Sequence, residues 1–195
     1  MGPSDYVAFA WAYNRYWGSM FMDRALPALE RLVFTHLPRG ASVLDVGCGT
    51  GQLAGVLLSR GFRVTGLDRS AEMIRFAREN APGATFLVAD ARSFRLPRAF
   101  HAALSTFDTL NHIPSLEELA ATFCNVHAAL VPGGLFLFDL NMEEGYLARW
   151  RGGDSVVART TSSRPGPPTI RRCGRAGSRS RSSDAGIGVR GGVPT

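Results

Sequence analysis

Three carboxylates and a run of glycines mark where this chain can do chemistry. In "SVLDVGCGTGQL", residues 42–53, an apolar run containing Asp45 leads into Gly47, Gly49 and Gly51 at alternate positions. Ordered glycine carries an entropic penalty, so three in five residues mark a bend whose backbone must stay bare. A bare strand-to-helix bend also lets a ligand lie against the main chain. Two more aspartates close later apolar runs, Asp68 in "VTGLDRS" and Asp90 in "FLVADARSF". Three carboxylates repel a pyrophosphate and attract a cation. The glycine spacing also departs from the dinucleotide pattern G-x-G-x-x-G, because the sixth position from Gly47 is Gln52. A further polar group, Asp108, Asn111 and His112 in "STFDTLNHI", follows a fourth apolar run. An imidazole there can take a proton from an amine or hydroxyl near neutral pH.

Elements that bring these residues together can be read from hydrophobic patterning. Strands are predicted at 42–46, 63–67, 85–88, 102–106 and 134–140, with helices at 51–60, 70–80 and 115–130 between them. This alternation predicts an α/β fold, a doubly wound and mostly parallel sheet covered on both faces. Ligands bind such sheets at the carboxyl ends of the strands, so Asp45, Gly49, Asp68 and Asp90 are expected to face one crevice. Asp68 lies 17 residues after Gly51, near the offset of a ribose-binding acid. Each carboxylate also has a plain structural use. Asp68 can cap the helix starting near Ser70, Asp90 can serve a turn, and Asp45 can be held by neighbouring amides.

Upstream, Ser4 or Asp5 can cap a helix rich in aromatics, "YVAFAWAYNRYWG", and a second helix is predicted from about 22 to 36 before Pro38-Arg39-Gly40 ends it. Pro132-Gly133-Gly134 reads as a turn feeding the fifth strand. The domain reading is therefore a helical lid over 1–40, an α/β domain over 41–150, and a tail over 151–195.

Charge separates these parts. The chain of 195 residues carries a formal charge of +6, yet residues 1–150 hold 13 Arg, no Lys and 14 acidic residues. Residues 151–195 hold 9 Arg and 2 Asp, with 9 Gly, 7 Ser, 4 Pro and no Leu, Phe, Tyr or Trp. A segment of that composition cannot bury enough apolar surface to offset its ordering entropy, so it is expected to be disordered. A basic tail that touches RNA and an out-of-frame readout of GC-rich DNA are the alternatives. The three cysteines, Cys48, Cys124 and Cys173, lack metal-ligand spacing, and no metal site is expected. They suit a reducing cytoplasm, and no membrane span or signal peptide is expected.

Taken together, "VLDVGCGTG", "VTGLDRSAEMI", "FLVADARSF" and "LVPGGLFLFDLN" resemble the successive motifs of the class I S-adenosylmethionine-dependent methyltransferases, over about residues 40–141. S-adenosylmethionine carries a sulfonium and an ammonium, which suits the acidic crevice. The resemblance implies that the turn of Gly47, Cys48, Gly49 and Gly51 packs against the methionine part. It places Asp45 near the amino group, Asp68 on the ribose and Asp90 on the adenine amino group. Leu67 and Met73 would flank the adenine, or simply belong to the core, and Ala91 would offer its backbone amide. Phe107 would border the cofactor sulfur, with Asp108, Asn111 and His112 as candidate catalytic residues. Tyr13 and Trp17 of the aromatic helix are expected near the cofactor, where rings can attract a sulfonium.

The "STFDTLNHI" stretch lacks the Asn/Asp-Pro-Pro-aromatic motif of enzymes that methylate nucleic-acid amino groups, so a small-molecule acceptor is expected, with nucleic acid disfavoured. Beyond the fifth strand the family continues with a helix and an antiparallel hairpin. Here that part is expected to be truncated or replaced, leaving the fifth strand as an apolar edge. The alternatives are a non-catalytic cofactor-binding fragment, an RNA methyltransferase using the basic tail, and a nicotinamide-dependent oxidoreductase.

Overall fold

Five short apolar runs set the frame, and each pairs side by side with its neighbours. In the computed structural model, which describes residues 9–144, the strands are β1 (Ser42–Val46), β2 (Arg63–Asp68), β3 (Thr85–Val88), β4 (Phe100–Ser105) and β5 (Leu130–Phe138). They form one sheet in the order β3-β2-β1-β4-β5, and every pairing is parallel. Helices α1 (Gly18–Leu32), α2 (Gln52–Ser59), α3 (Ala71–Asn80) and α4 (Leu116–Ala129) cover it. All described residues through Leu140 belong to one compact unit. The tail and the expected missing hairpin lie outside the described residues.

Side chains alternate across the sheet, so each strand feeds two cores. Val43, Val64, Phe86, Ala102 and Leu104 pack with Met22 and Leu29 of α1, Leu53 and Leu57 of α2, and Ile74 of α3. Leu44, Val46, Leu67 and Ala103 face the other way, towards Phe94 and towards Val126 and Ala129 of α4. Leu44, Leu57, Ile74 and Leu104 are fully buried, each worth about 1.5–3 kcal/mol relative to exposure. Asp45 follows Leu44 on the Val43 side of the sheet, one residue before β1 ends. The strand order reverses direction between β1 and β4, and that switch point is where doubly wound sheets open a crevice.

Apart from shifts of one or two residues at element ends, predicted and observed elements differ in three places. The expected second helix begins at Gly18 rather than 22, because a π-helical turn, Tyr13–Trp17, runs directly into it. Its predicted end at 36 is a separate 3-10 turn, Phe34–His36. Pro132-Gly133-Gly134 lies inside β5 instead of before it. A two-residue step on β4 from Phe100 to Ala102 is matched by five residues on β5, from Leu130 to Leu135. The breaker residues thus loop out of a strand that pairs on both sides of them. The proposed caps Ser4 and Asp5 lie outside the described residues.

Helix α3 starts at Ser70, whose Oγ accepts the Met73 amide at 3.3 Å, an ordinary N-cap. Helix α2 begins with Gly51 in the left-handed region, at φ 82. A Cβ there would lie 2.9 Å from the Ala77 Cα in α3. Replacing Gly51 with Ala should therefore lower stability by at least about 1–2 kcal/mol, the scale of a left-handed L-residue. Urea unfolding measures this, and an unchanged midpoint would show that the α2–α3 contact does not dictate the glycine.

Candidate functional site

The three glycines of the bend have different tasks. All are at positive φ, but what a side chain would meet differs. A Cβ on Gly47 would fall 2.2 Å from Thr109 Cγ2, and one on Gly51 would strike α3. These two glycines exist for packing. At Gly49 only Tyr13 Cε1 comes near, at 3.7 Å, so this is the stretch of bare backbone that faces the cleft. The bend is fixed from below. Gly47 and Cys48 donate their amides to the Leu67 carbonyl at 2.8 and 2.9 Å.

Asp68 fixes it from the side. Its carboxylate accepts the Gly49 amide at 3.0 Å through Oδ2 and the Ser70 amide at 2.9 Å through Oδ1. Burial pushes its pKa up, while these amides, Arg69 and His112 pull it down. Asp45 lacks such relief. It is 2% exposed, and its Oδ2 has no hydrogen-bond partner. Burial, then repulsion from Asp68, push its pKa up to about 7. Tyr13 stands over the same charges, and burial followed by Asp45, Asp68 and Asp139 pushes its hydroxyl up to about 12. Cys48 is buried in the bend, and its thiol is pushed up by burial and the two aspartates. A cleft with this field is built for a cation.

Tyr13, Gly18, Gly47, Cys48, Gly49, Gln52, Leu53, Thr106, Phe107 and Thr109 enclose a space of about 40 Å³, little more than one water's share of liquid. Tyr13, at the start of the π-turn, covers one side of it. Polar side chains hold this cover to the two helices behind the bend. Asn14 Oδ1 accepts Gln52 Nε2 at 3.1 Å and Asn80 Nδ2 at 2.7 Å. Asn80 Nδ2 also reaches the Thr50 carbonyl at 2.7 Å. Aromatic contacts continue the cover: Phe9 to Tyr13 at 6.0 Å, Tyr13 to Phe21 at 6.4 Å, and Phe21 stacked on Phe107 at 5.9 Å.

The loop leaving β4 forms the opposite wall. Phe107 and Asp108 are both left-handed, at φ 62 and 72, a conformation that costs non-glycine residues about 1–3 kcal/mol each. Two amides turned this way meet one carboxylate. Phe107 N–H donates to Asp139 Oδ2 at 2.8 Å and Asp108 N–H to Asp139 Oδ1 at 3.2 Å. Thr109 then lies over Gly47, and the 3-10 turn Thr109–His112 carries Asn111 and His112. His112 is exposed, yet its charge is felt at Asp68.

Asp90 is engaged elsewhere. Its carboxylate accepts Arg92 Nη2 at 2.6 Å, and Arg92 Nε and the Arg92 amide at 2.9 Å each. The Arg92 guanidinium, which also pairs with Glu118 at 2.8 Å, holds the Asp90 carboxyl down to about 2. Three of roughly four lone-pair sites are thereby used. Ala91 follows, its carbonyl accepting Asn125 Nδ2 at 3.2 Å. Leu67 is buried in the core facing α4. Met73 packs with Phe76, Ala10, Phe9 and Tyr13, under the aromatic cover. Trp17 touches Phe9 at 6.1 Å and is not among the cleft-lining residues.

The structure therefore gathers Asp45, Gly47, Cys48, Gly49, Asp68, Phe107 and Tyr13 at one place, with His112 near Asp68. It sets Asp90 and Ala91 beside Arg92 at the exit of β3, and Leu67 in the core. Asn14, Gln52, Asn80, Thr109 and Asp139 were not anticipated. Asp139 had a legible signal, since like Asp45, Asp68 and Asp90 it lies at the carboxyl end of an apolar run. The other histidines lie away from the cleft, and His101 Nδ1 accepts the Ser42 amide at 3.2 Å. Among the described residues no cluster of three or more His, Cys, Asp or Glu is arranged to hold a metal. Among them, too, no helix is long and apolar enough to cross a membrane.

A family model described as a methyltransferase domain matches residues 43–134. The dTDP-3-amino-3,6-dideoxy-alpha-D-glucopyranose N,N-dimethyltransferase of Streptomyces fradiae is 36% identical over 149 residues, 72% of this chain and 58% of that protein. SAM-bound CalS10, an amino pentose methyltransferase from Micromonospora echinaspora, is similar with a TM-score of 0.61 at 32% identity. The match covers 69% of this chain and 57% of that one. The DhpI–SAH complex gives a TM-score of 0.60 at 29% identity, over 86% of this chain and 76% of that one. The chain spans about half the length of the curated relatives it matches.

The uncompensated Asp45 has a consequence for stability. An acid whose pKa is higher folded than unfolded stabilises the fold most below its unfolded pKa and loses that contribution as pH rises through the folded value. The protein's Asp45-linked stability should thus fall between about pH 4 and 7. Asp45→Asn should flatten this slope and make the protein more stable at pH 8 by about 1–3 kcal/mol, the cost of an unpaired buried group. Urea unfolding at pH 5 and pH 8 checks both, and an unaltered slope would contradict the buried-charge assignment.

Proposed function

This chain belongs to the class I S-adenosylmethionine-dependent methyltransferases, and from that premise we propose that it binds S-adenosylmethionine in the glycine-bend cleft and methylates a small-molecule acceptor. One observation carries the reading: Asp45 keeps a buried carboxylate oxygen without a partner, just ahead of a bend whose backbone Gly49 leaves bare. A ligand bearing an ammonium supplies the missing partner. A phosphate-bearing dinucleotide would add repulsion instead.

In this assignment Asp45 receives the amino group, and the Gly49 backbone lies along the methionine part. Asp68 already spends one lone pair on Gly49 and one on Ser70, leaving two for ribose hydroxyls. Asp90 has one site left for an adenine amino group, so Arg92 tunes how well it reads that group. S-adenosylmethionine supplies an electrophilic methyl on a sulfonium, already a good leaving group. The protein's work is then to align the acceptor and exclude water. Tyr13, Phe21 and Phe107 form an aromatic cover suited to both tasks. His112 and Asp108, after the left-handed bend, are placed to receive the acceptor's proton. Trp17 supports the cover through Phe9.

Relatives point to the acceptor class. Both relatives above whose acceptor is stated act on amino sugars. The β4 exit, Thr106-Phe107-Asp108-Thr109, lacks the proline pair associated with nucleic-acid amino methylation. An amine on a nucleotide-linked sugar is therefore the first acceptor to test, and the reducing cytoplasm is the compartment the reading implies, given the free thiols of Cys48 and Cys124.

Isothermal titration with S-adenosylhomocysteine tests the cofactor assignment. Wild type should bind, and Asp68→Ala should bind more weakly by about 1–3 kcal/mol, the loss of hydrogen bonds to a charged group. Failure of folded wild type to bind at millimolar concentration would overturn the assignment. Turnover with amino sugars, carboxylic acids and hydroxyl compounds then ranks acceptors. Cofactor binding without turnover on any of them would favour a non-catalytic binding domain.

A further inference from the structure

Asp139 is the fourth strand-end acid; it lies within "LVPGGLFLFDLN" but is given no part in the cofactor assignment. It follows β5, where its amide donates to the Ser105 carbonyl at 3.2 Å. Its carboxylate turns to the neighbouring strand's exit and takes both left-handed amides, Phe107 and Asp108. Phe at positive φ is an outlier without local compensation, unlike glycine. Two consecutive such residues persist only where something outside the loop over-determines them. Here the restraint is a pair of charge-assisted bonds to one carboxylate. What it determines is the cleft wall: Phe107 lines the cleft and stacks on Phe21 at an interplanar angle of 29°. Thr109 donates to the Thr106 carbonyl at 3.0 Å and packs over Gly47.

We propose that Asp139 is a positioning residue of this cleft, an inference that rests on the cofactor reading above. Its carboxylate holds the Phe107–Asp108 bend left-handed, which sets the Phe107 ring against the aromatic cover and seats Thr109 on the glycine bend. It touches neither cofactor nor acceptor in this role. Without the carboxylate the two residues relax towards negative φ, and the Phe107 ring leaves the wall.

Two readouts test this on the full chain with Asp139→Ala, Asp139→Asn and the double variant Asp139→Ala/Asp108→Gly. In the ligand-free protein, hydrogen exchange at the Phe107 and Asp108 amides should speed up about tenfold or more in Asp139→Ala, with the β4 amides of 102–104 unchanged. Affinity for S-adenosylhomocysteine should fall about tenfold in the same variant and less in Asp139→Asn, which keeps one acceptor oxygen. Glycine at 108 adopts positive φ freely, so the double variant should recover part of the lost affinity, with Phe107 left as the strained residue. Unchanged exchange in Asp139→Ala would overturn the proposal. So would a rise across all of β4 and β5 that Asp108→Gly does not rescue in binding, because Asp139 would then serve edge-strand stability alone. If wild type itself ignores S-adenosylhomocysteine, the cofactor reading falls and takes Asp139's place in a cofactor cleft with it. The exchange rates still decide the bend separately.

Discussion

A carboxylate buried without a partner is the constraint around which the rest of this structure is arranged. Asp45 lies near the end of the central strand, where both neighbouring strands and the glycine bend remove it from water. An unpaired charge in that position is expensive, and neutral protonation is the usual relief. Asp68 is close enough to raise the cost further, yet it is locked in place by the amides of Gly49 and Ser70. The site thus fixes both carboxyl groups in position before any ligand arrives, and a bound cation favours their ionised form. That is preorganisation: stability given up in the free protein becomes affinity for a cationic ligand.

The surrounding elements each maintain that arrangement. The Leu67 carbonyl fixes the bend by accepting the Gly47 and Cys48 amides, Thr109 and Ala77 exclude side chains from two of its glycines, and the aromatic cover borders the remaining space. The cover is held by contacts of a reversible kind: a shared amide oxygen on Asn14, tilted ring pairs, and a π-turn that breaks the helix register. π-turns inside helices recur at functional sites. The space the cover borders is small, about 40 Å³, and such contacts can yield to a larger ligand. The opposite wall, by contrast, is set by strain held in check by Asp139.

Much of this was legible in the sequence because it is local. The strand runs alternate with amphipathic stretches, and β1 and β3 fall where the apolar residues fall. The glycine spacing and strand-end acids named the cleft, since a doubly wound sheet puts all its carboxyl ends on one side. What could not be read was long-range. Asn14 reaches Asn80 across 66 residues, and nothing in either neighbourhood announces the pair. Asp90's engagement by Arg92 depends on a side-chain rotamer, not on spacing. The packing demands on Gly47 and Gly51 were likewise illegible, because the sequence shows an absent Cβ but not what occupies its place. Pro132-Gly133-Gly134 reads as a breaker by type, yet parallel pairing resumes beyond it and makes it an interruption within β5.

The central claim is that Asp45 awaits a positive group, and the pH dependence of binding tests it most directly. Calorimetric affinity for S-adenosylhomocysteine, whose ammonium stays charged in this range, should rise about tenfold from pH 6 to pH 8 in wild type, as a group titrating near 7 ionises. The rise should vanish in Asp45→Asn. Equal pH dependence in the two proteins would show that the buried carboxylate does not meet the ligand's charge, and the account would fail.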